Sequence, residues 1–207
     1  MIDTAHQIDT IQREVGTHTT ETGEVVSVLL RREYAAAVGD VWDAITDPER
    51  VKRWFMPVSG DFREGGDFQL EGNAGGRILR CDPPRLLRTT FGDESSIIEL
   101  RLAAGPDDAT VLELEHTVPM AMAGSSAGAL FVGPGWDGAV MGLGLYLTGQ
   151  FTGDPVEAAN SPEVIAFNGL SIEKWTAVLE ASGTATPEQI AGGVEAARAQ
   201  FTPDAVG

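Results

Sequence analysis

The stretch from Val58 to His116 constrains the fold more than any other, because turn-forming residues cut it into pieces too short for helices. Gly65-Gly66, Gly72-Asn73 with Gly75-Gly76, Asp82-Pro83-Pro84, Gly92-Asp93 and Gly105-Pro106-Asp107-Asp108 separate six strand-like runs. Alternation is clearest where Ile98, Leu100 and Leu102 interleave with Glu99 and Arg101, and where Leu112, Leu114 and His116 interleave with Glu113 and Glu115. A period of two sends the apolar set to one face and the charged set to the other. An antiparallel meander with one apolar face needs a second layer to cover it.

The flanking segments supply that layer. Val25 to Tyr34 is rich in β-branched residues and reads as a first strand. Gly39-Asp40 opens a short helix with Val41, Trp42 and Ile45 on one face, and Asp47-Pro48-Glu49 opens a second, Asp as N-cap and Pro at the first helical position. The second helix ends in Trp54-Phe55-Met56-Pro57, a bulky cluster suited to plugging against the sheet. Residues 119–133 are small and read as a loop that could gate a cavity. A long helix is expected from about Pro134-Gly135-Trp136-Asp137, with Asp137 in its first turn, where the helix dipole favours a negative charge. Trp136, Val140, Leu143, Leu147 and Phe151 form one apolar stripe along it. Gly138, Gly142, Gly144 and Gly149 each cost about 1 kcal/mol relative to Ala. That cost is tolerable where backbones approach closely or a guest molecule needs room.

The two ends differ in character. Residues 1–24 form a polar arm in which Ile8, Ile11 and Val15 recur at helical spacing, predicting one short amphipathic helix. Beyond residue 152, Ser161-Pro162 leads a helix with Val164, Phe167, Ile172, Trp175 and Leu179 apolar, and Thr186-Pro187-Glu188-Gln189 is a capping box ahead of Ile190, Val194, Ala197 and Phe201. Paired through Ser182-Gly183, these helices are expected to pack on the domain or on a second copy, which would make a homodimer. The division read from the sequence is thus a polar arm (1–24), a domain of sheet and long helix (25–151) and a helical extension (152–207). The fold class is α+β: a curved antiparallel sheet of about seven strands around a long C-terminal helix, with two extra helices.

Composition narrows the partners. The formal charge of -17 disfavours phosphate backbones and anionic membrane surfaces, and the most apolar stretch, Gly138 to Leu147, is too short to span a bilayer. Neither nucleic acid nor membrane is expected. A lone cysteine, Cys81, allows no internal disulfide, and the N-terminus carries no secretory pattern, so the cytoplasm is the expected compartment. Cys81 has no nearby His and reads as a structural thiol.

Specific residues carry a family resemblance. Val41-Trp42-Asp43-Ala44-Ile45-Thr46-Asp47-Pro48-Glu49-Arg50 through Trp54-Phe55, then Gly65-Gly66-Asp67-Phe68, Leu112-Glu113-Leu114-Glu115-His116 and Gly135-Trp136-Asp137 resemble the Hsp90 ATPase activator homologue-like branch of the SRPBCC superfamily, the START and birch-pollen-allergen-like proteins, as found in its bacterial members. The resemblance covers about Val25 to Gln150. It implies a helix-grip fold with a hydrophobic cavity between sheet and long helix, used across the superfamily for lipids, sterols, polyketides and other apolar molecules. The co-chaperones that name the branch carry a separate N-terminal domain where this chain has a short polar arm, so Hsp90 stimulation is not carried over.

Candidate cavity walls are Trp54, Phe55, Phe68, Leu70 and Phe91, with Leu100 and Leu114 from the sheet and Trp136, Val140 and Leu143 from the long helix. His116 shares the face of Leu112 and Leu114 and is the candidate polar contact for a ligand, against the plainer reading of a histidine bonded to backbone at the rim of the sheet. Glu71 and Arg80 flank the central hairpin and read as solvated. With His6, His18 and His116 scattered, no metal site is expected, nor any cofactor or catalytic residue. Binding or carriage of a small apolar molecule ranks first, a polyketide cyclase or dehydratase-like enzyme second, and a protein-interaction module third.

Overall fold

The computed structural model describes residues 2–21 and 23–203. Its strands are β1 (Gln12–Thr20), β2 (Gly23–Tyr34), β3 (Val58–Gly60), β4 (Asp67–Leu70), β5 (Gly75–Asp82), β6 (Leu86–Phe91), β7 (Asp93–Ala104) and β8 (Thr110–Pro119). They form one curved antiparallel sheet in the order β1-β2-β8-β7-β6-β5-β4-β3. The helices are α1 (Thr4–Asp9), α2 (Val38–Thr46), α3 (Pro48–Val51), α4 (Met120–Ala123), α5 (Ala129–Leu147), α6 (Pro155–Ala158), α7 (Pro162–Ser182) and α8 (Pro187–Phe201). The six strands expected between Val58 and His116 are present as β3 to β8, and the helix-grip class stands with eight strands in the sheet.

Three local expectations are corrected. The arm holds only a short helix, α1, and Val15 lies in strand β1, which hydrogen-bonds beside β2. Residues 119–133 are not a loop: α4, a 3-10 turn at Ser126–Gly128 and the first turns of α5 fill them. Consequently α5 starts at Ala129, Pro134 lies inside it, Asp137 sits mid-helix rather than in the first turn, and Phe151 falls beyond its end.

The chain divides into two compact units, and α5 contributes to both. The first comprises the chain up to Leu30, Thr117–Gly138 and the chain from Ala159 onward. Here α7 and α8 follow their expected signals: Ser161 accepts a hydrogen bond from the Val164 N–H, Thr186 and Gln189 complete the capping box, and Gly183 ends α7 in the left-handed region (φ 63°), where glycine is strain-free. Phe167, Ile172, Trp175 and Leu179 are all buried. Gly133 lies so close to the Trp175 indole that a Cβ there would stand 2.5 Å from the ring.

The first unit also explains Asp137. Its side chain has no exposed surface and accepts from Arg13 Nε at 2.9 and 3.1 Å, from Ser171 Oγ at 2.5 Å and from Trp175 Nε1 at 3.1 Å. Burial pushes this carboxyl up, while the Arg13 guanidinium and the two neutral donors pull it down. Arg13 also donates to the carbonyls of Ile11 (2.7 Å) and Ile8 (3.2 Å), so one guanidinium ties the start of β1 and the end of α1 to the middle of α5.

The second unit comprises Arg31–His116 and Ala139–Ala158. Asp47 caps α3 by accepting from the Glu49 N–H at 2.9 Å. Register within the meander pairs Arg88 with Glu99, Leu87 with Leu100 and Thr89 with Ile98. On the outer face the charges form a ladder: Arg31 meets Glu113 (3.4 Å), Arg101 meets Glu99 (2.5 Å) and Glu115 (2.9 Å), and Arg88 reaches Glu99 (3.7 Å). Glu99 and Arg101 are therefore outward partners, as their alternation predicts. Glu71 and Arg80 are exposed. The rear half of α5 packs on the inner face of β2, where Tyr34 Oη donates to the Val140 carbonyl at 2.9 Å and Arg32 Nη1 to the same oxygen at 3.3 Å. Two helix glycines allow this approach: a Cβ on Gly144 would stand 2.8 Å from Arg32 Nη2, and one on Gly142 3.0 Å from the Trp54 carbonyl oxygen.

Candidate functional site

The inward positions of β6, β7 and β8 follow from period two and from the charges that point the other way. They are Leu87, Thr89 and Phe91; Ser96, Ile98, Leu100 and Leu102; and Thr110, Leu112, Leu114 and His116. No carboxylate or ammonium stands among them. Most are buried, including Ile98, Leu102, Leu112 and Leu114. Leu87, Phe91 and Leu100 are only half-buried although they share that face, as is Phe68 on β4. Solvent therefore reaches an apolar part of the inner surface.

His116 is 5% exposed and lies on this face, with Nε2 2.9 Å from Ser96 Oγ. The Phe91 ring meets the imidazole edge-on, with centroids 5.9 Å apart and planes at 80°. Burial pushes the imidazole down to about 4, so near neutral pH it is uncharged. A neutral imidazole has one donor and one acceptor nitrogen, and a serine hydroxyl can play either part. The pair can thus present a donor or an acceptor to a neighbouring polar group while the walls around it are apolar.

The predicted wall residues divide by burial. Leu70, Leu114, Val140 and Leu143 are buried, and Phe68, Phe91 and Leu100 are half-open. Trp54 and Phe55 are half-buried and stacked at 5.5 Å, with Trp54 Nε1 donating to the Ala44 carbonyl at 2.9 Å and its ring beside Gly142. Trp136 belongs to the first unit and the other nine wall residues to the second. Sequence reasoning missed Ser96, although its parity with Ile98 and Leu100 was available. Cys81 is part-buried and its thiol is pushed up, first by burial and then by Glu64 and Asp82, which suits an unreactive sulfur.

A groove of about 660 Å³ runs over the β4–β5 hairpin and the β6–β7 turn, lined by Asp67, Phe68, Gln69, Arg77, Asp93 and Glu94 among others, so the half-open Phe68 faces this groove. Asp67 and Arg77 pair across it at 2.9 Å. Among the described residues no three His, Cys, Asp or Glu side chains gather as a metal site, and no helix is long and apolar enough to cross a membrane.

The family described as Activator of Hsp90 ATPase homolog 1-like protein matches residues 35–148, more than half of the sequence. The chain belongs to the AHSA1 family. This AHSA1 protein is similar to CalU16 from Micromonospora echinospora along nearly all of the latter's length. The crystal structure of CalU16 gives a TM-score of 0.67 at 39% identity, covering 82% of this chain and 98% of that one. Its solution NMR structure gives 0.68 at 40%, covering 83% and 96%. The conserved protein EF2215 from Enterococcus faecalis shares the fold, with a TM-score of 0.57 at 13% identity over 79% of this chain and 91% of that one. DynU16, described as a putative protein in the dynemicin biosynthetic locus, gives 0.51 at 23% over 61% and 48%. No curated protein matches the AHSA1 chain.

Proposed function

We propose that this protein binds and carries a small apolar molecule on the inner face of its second unit, with His116 and Ser96 orienting the guest and no bond made or broken. One observation carries the reading: Leu87, Phe91 and Leu100 point inward yet stay half-open, while their inward neighbours are buried. Apolar surface left accessible on the concave side of a sheet is what a guest would cover, at about 25 cal/mol for each Å² removed from water. Family membership is consistent with a ligand-binding or cyclase-like role. The test is a titration of the full chain with the neutral apolar probe N-phenyl-1-naphthylamine, alongside native mass spectrometry of protein recovered from its source cells. Saturable fluorescence enhancement is expected, lost in Leu100→Trp, where the added ring fills the open stretch. No saturable response and no co-purifying mass would end the reading.

A cyclase or dehydratase-like reaction is the second reading, favoured by the Ser96–His116 hydrogen bond. An uncharged imidazole held against a hydroxyl is able to take a proton from a bound carbonyl compound. It requires turnover of a captured ligand that His116→Gln abolishes without loss of binding. A ligand returned chemically unchanged after incubation supports carriage.

A further inference from the structure

Resting on the binding reading above, we infer that the guest is an uncharged molecule that offers a hydroxyl or carbonyl to the His116–Ser96 pair, and that carboxylate-bearing guests of the same size are turned away. The first argument is the sorting of charge on β6, β7 and β8. Every ionised side chain in their central stretch, Arg88, Glu99, Arg101, Glu113 and Glu115, lies on the outer face and is engaged in the ladder there. The inner face offers only hydroxyls and one imidazole as polar side chains: Thr89, Ser96, Thr110 and His116. A carboxylate brought there would lose its water without gaining a cation, a loss that neutral donors do not repay.

The second argument concerns approach. Asp93 and Glu94 begin β7 beside Phe91, Asp67 precedes Phe68, and the whole chain carries a formal charge of -17. The potential at this end of the sheet repels anions before contact. Arg32 is the inward cation of β2, and its guanidinium is held at the α5 contact, donating to the Val140 carbonyl with the Tyr34 ring 5.3 Å away. A protonated amine would be drawn to the rim, where Glu94 shares the parity of Ser96, yet deeper on the face it would find no inward carboxylate to replace its hydration.

The third argument is hydrogen-bonding capacity. Ser96 Oγ and His116 Nε2 share one hydrogen bond at 2.9 Å, and a hydroxyl oxygen has two lone pairs and a proton to distribute. A guest hydroxyl or carbonyl can join this bond without leaving either protein group unsatisfied, whereas a bare hydrocarbon gains only burial.

Three probes of one shape separate the possibilities: naphthalene, 2-naphthol and 2-naphthoate, each titrated into the full chain at pH 7.5 and followed by intrinsic fluorescence and calorimetry. The expected order is 2-naphthol at least tenfold tighter than 2-naphthoate and several-fold tighter than naphthalene. In His116→Phe the preference for 2-naphthol over naphthalene should fall to within about twofold while naphthalene binding persists. Ser96→Ala, a smaller change, should reduce the same preference. Binding of 2-naphthoate as tight as that of 2-naphthol overturns the inference while leaving the binding reading intact, and so does a naphthol preference that survives both substitutions. Failure of all three probes to bind removes the binding reading and the inference together.

Discussion

Replacing Asp137 by Asn keeps the side chain's size and removes its charge, and the structure predicts a large loss of stability for so small a change. The carboxylate is fully buried, and the Arg13 side chain is only 4% exposed. After Asp137→Asn, Arg13 keeps its bonds to the Ile8 and Ile11 carbonyls but has no counter-charge. The new amide must also turn its NH₂ toward Arg13, Ser171 or Trp175, each of which already donates. Breaking a buried pair on one side costs about 3–5 kcal/mol, because an uncompensated charge remains in the interior. For a chain of this size each kcal/mol shifts Tm by about 2–4 °C, so a fall of roughly 6–20 °C is expected. Urea unfolding followed by circular dichroism and by tryptophan fluorescence measures it, Trp175 being one of the pair's own hydrogen-bond donors. The double variant Arg13→Met with Asp137→Leu removes both charges and should recover most of the loss. A single variant within about 1 kcal/mol of the parent, or a double variant as damaged as the two singles summed, would refute the reasoning.

Other outcomes follow from single positions. His116 is held near 4 when folded against an ordinary value of 6.5, so its contribution to stability is complete above pH 6.5 and is lost as pH falls toward 4. That is a decline of about 3 kcal/mol in urea titrations, which His116→Gln should flatten. Gly133→Ala drives a methyl into the rigid Trp175 ring and should cost about 1–3 kcal/mol. Gly138→Ala, on the same helix with open space around it, should stabilise by about 0.5–1 kcal/mol in the same thermal melts. Asp107 and Asp108 hold consecutive positive φ angles of 52° and 58° in the β7–β8 turn, and Asp108→Gly should raise stability by about 0.5–1 kcal/mol.

How far the sequence disclosed all this depends on the range of the interactions concerned. Strands β3 to β8 were legible because turn residues and period-two alternation are local signals, and His116 was legible through its parity with Leu112 and Leu114. Strand β1 was not: Gln12–Thr20 carries Val15 as its lone large aliphatic residue, so its strand character comes from its partner β2 and not from its own pattern. The helical spacing of Ile8, Ile11 and Val15 misled because Ile8 ends a short helix and Ile11 sits in the bend before the strand; both are buried for separate reasons. Pro134 looked like a helix start, since proline favours the first turn, yet α5 accepts it internally. Asp137 was misplaced with it. Its partners Arg13, Ser171 and Trp175 stand 124, 34 and 38 positions away and all lie outside the segment that matches the family. Ser96, 20 residues from His116, was hidden by the same distance in sequence.

The charge ladder on the back of the meander has a consequence for how such a protein can change. Sliding any of these strands by one position would bury arginines and glutamates, so the ions alone are enough to fix which residues oppose which. Alignment of the strands then makes few demands on the identity of the side chains turned toward the helix. Those can be exchanged one at a time, by selection or by a designer, to suit a differently shaped passenger while the scaffold stays in place.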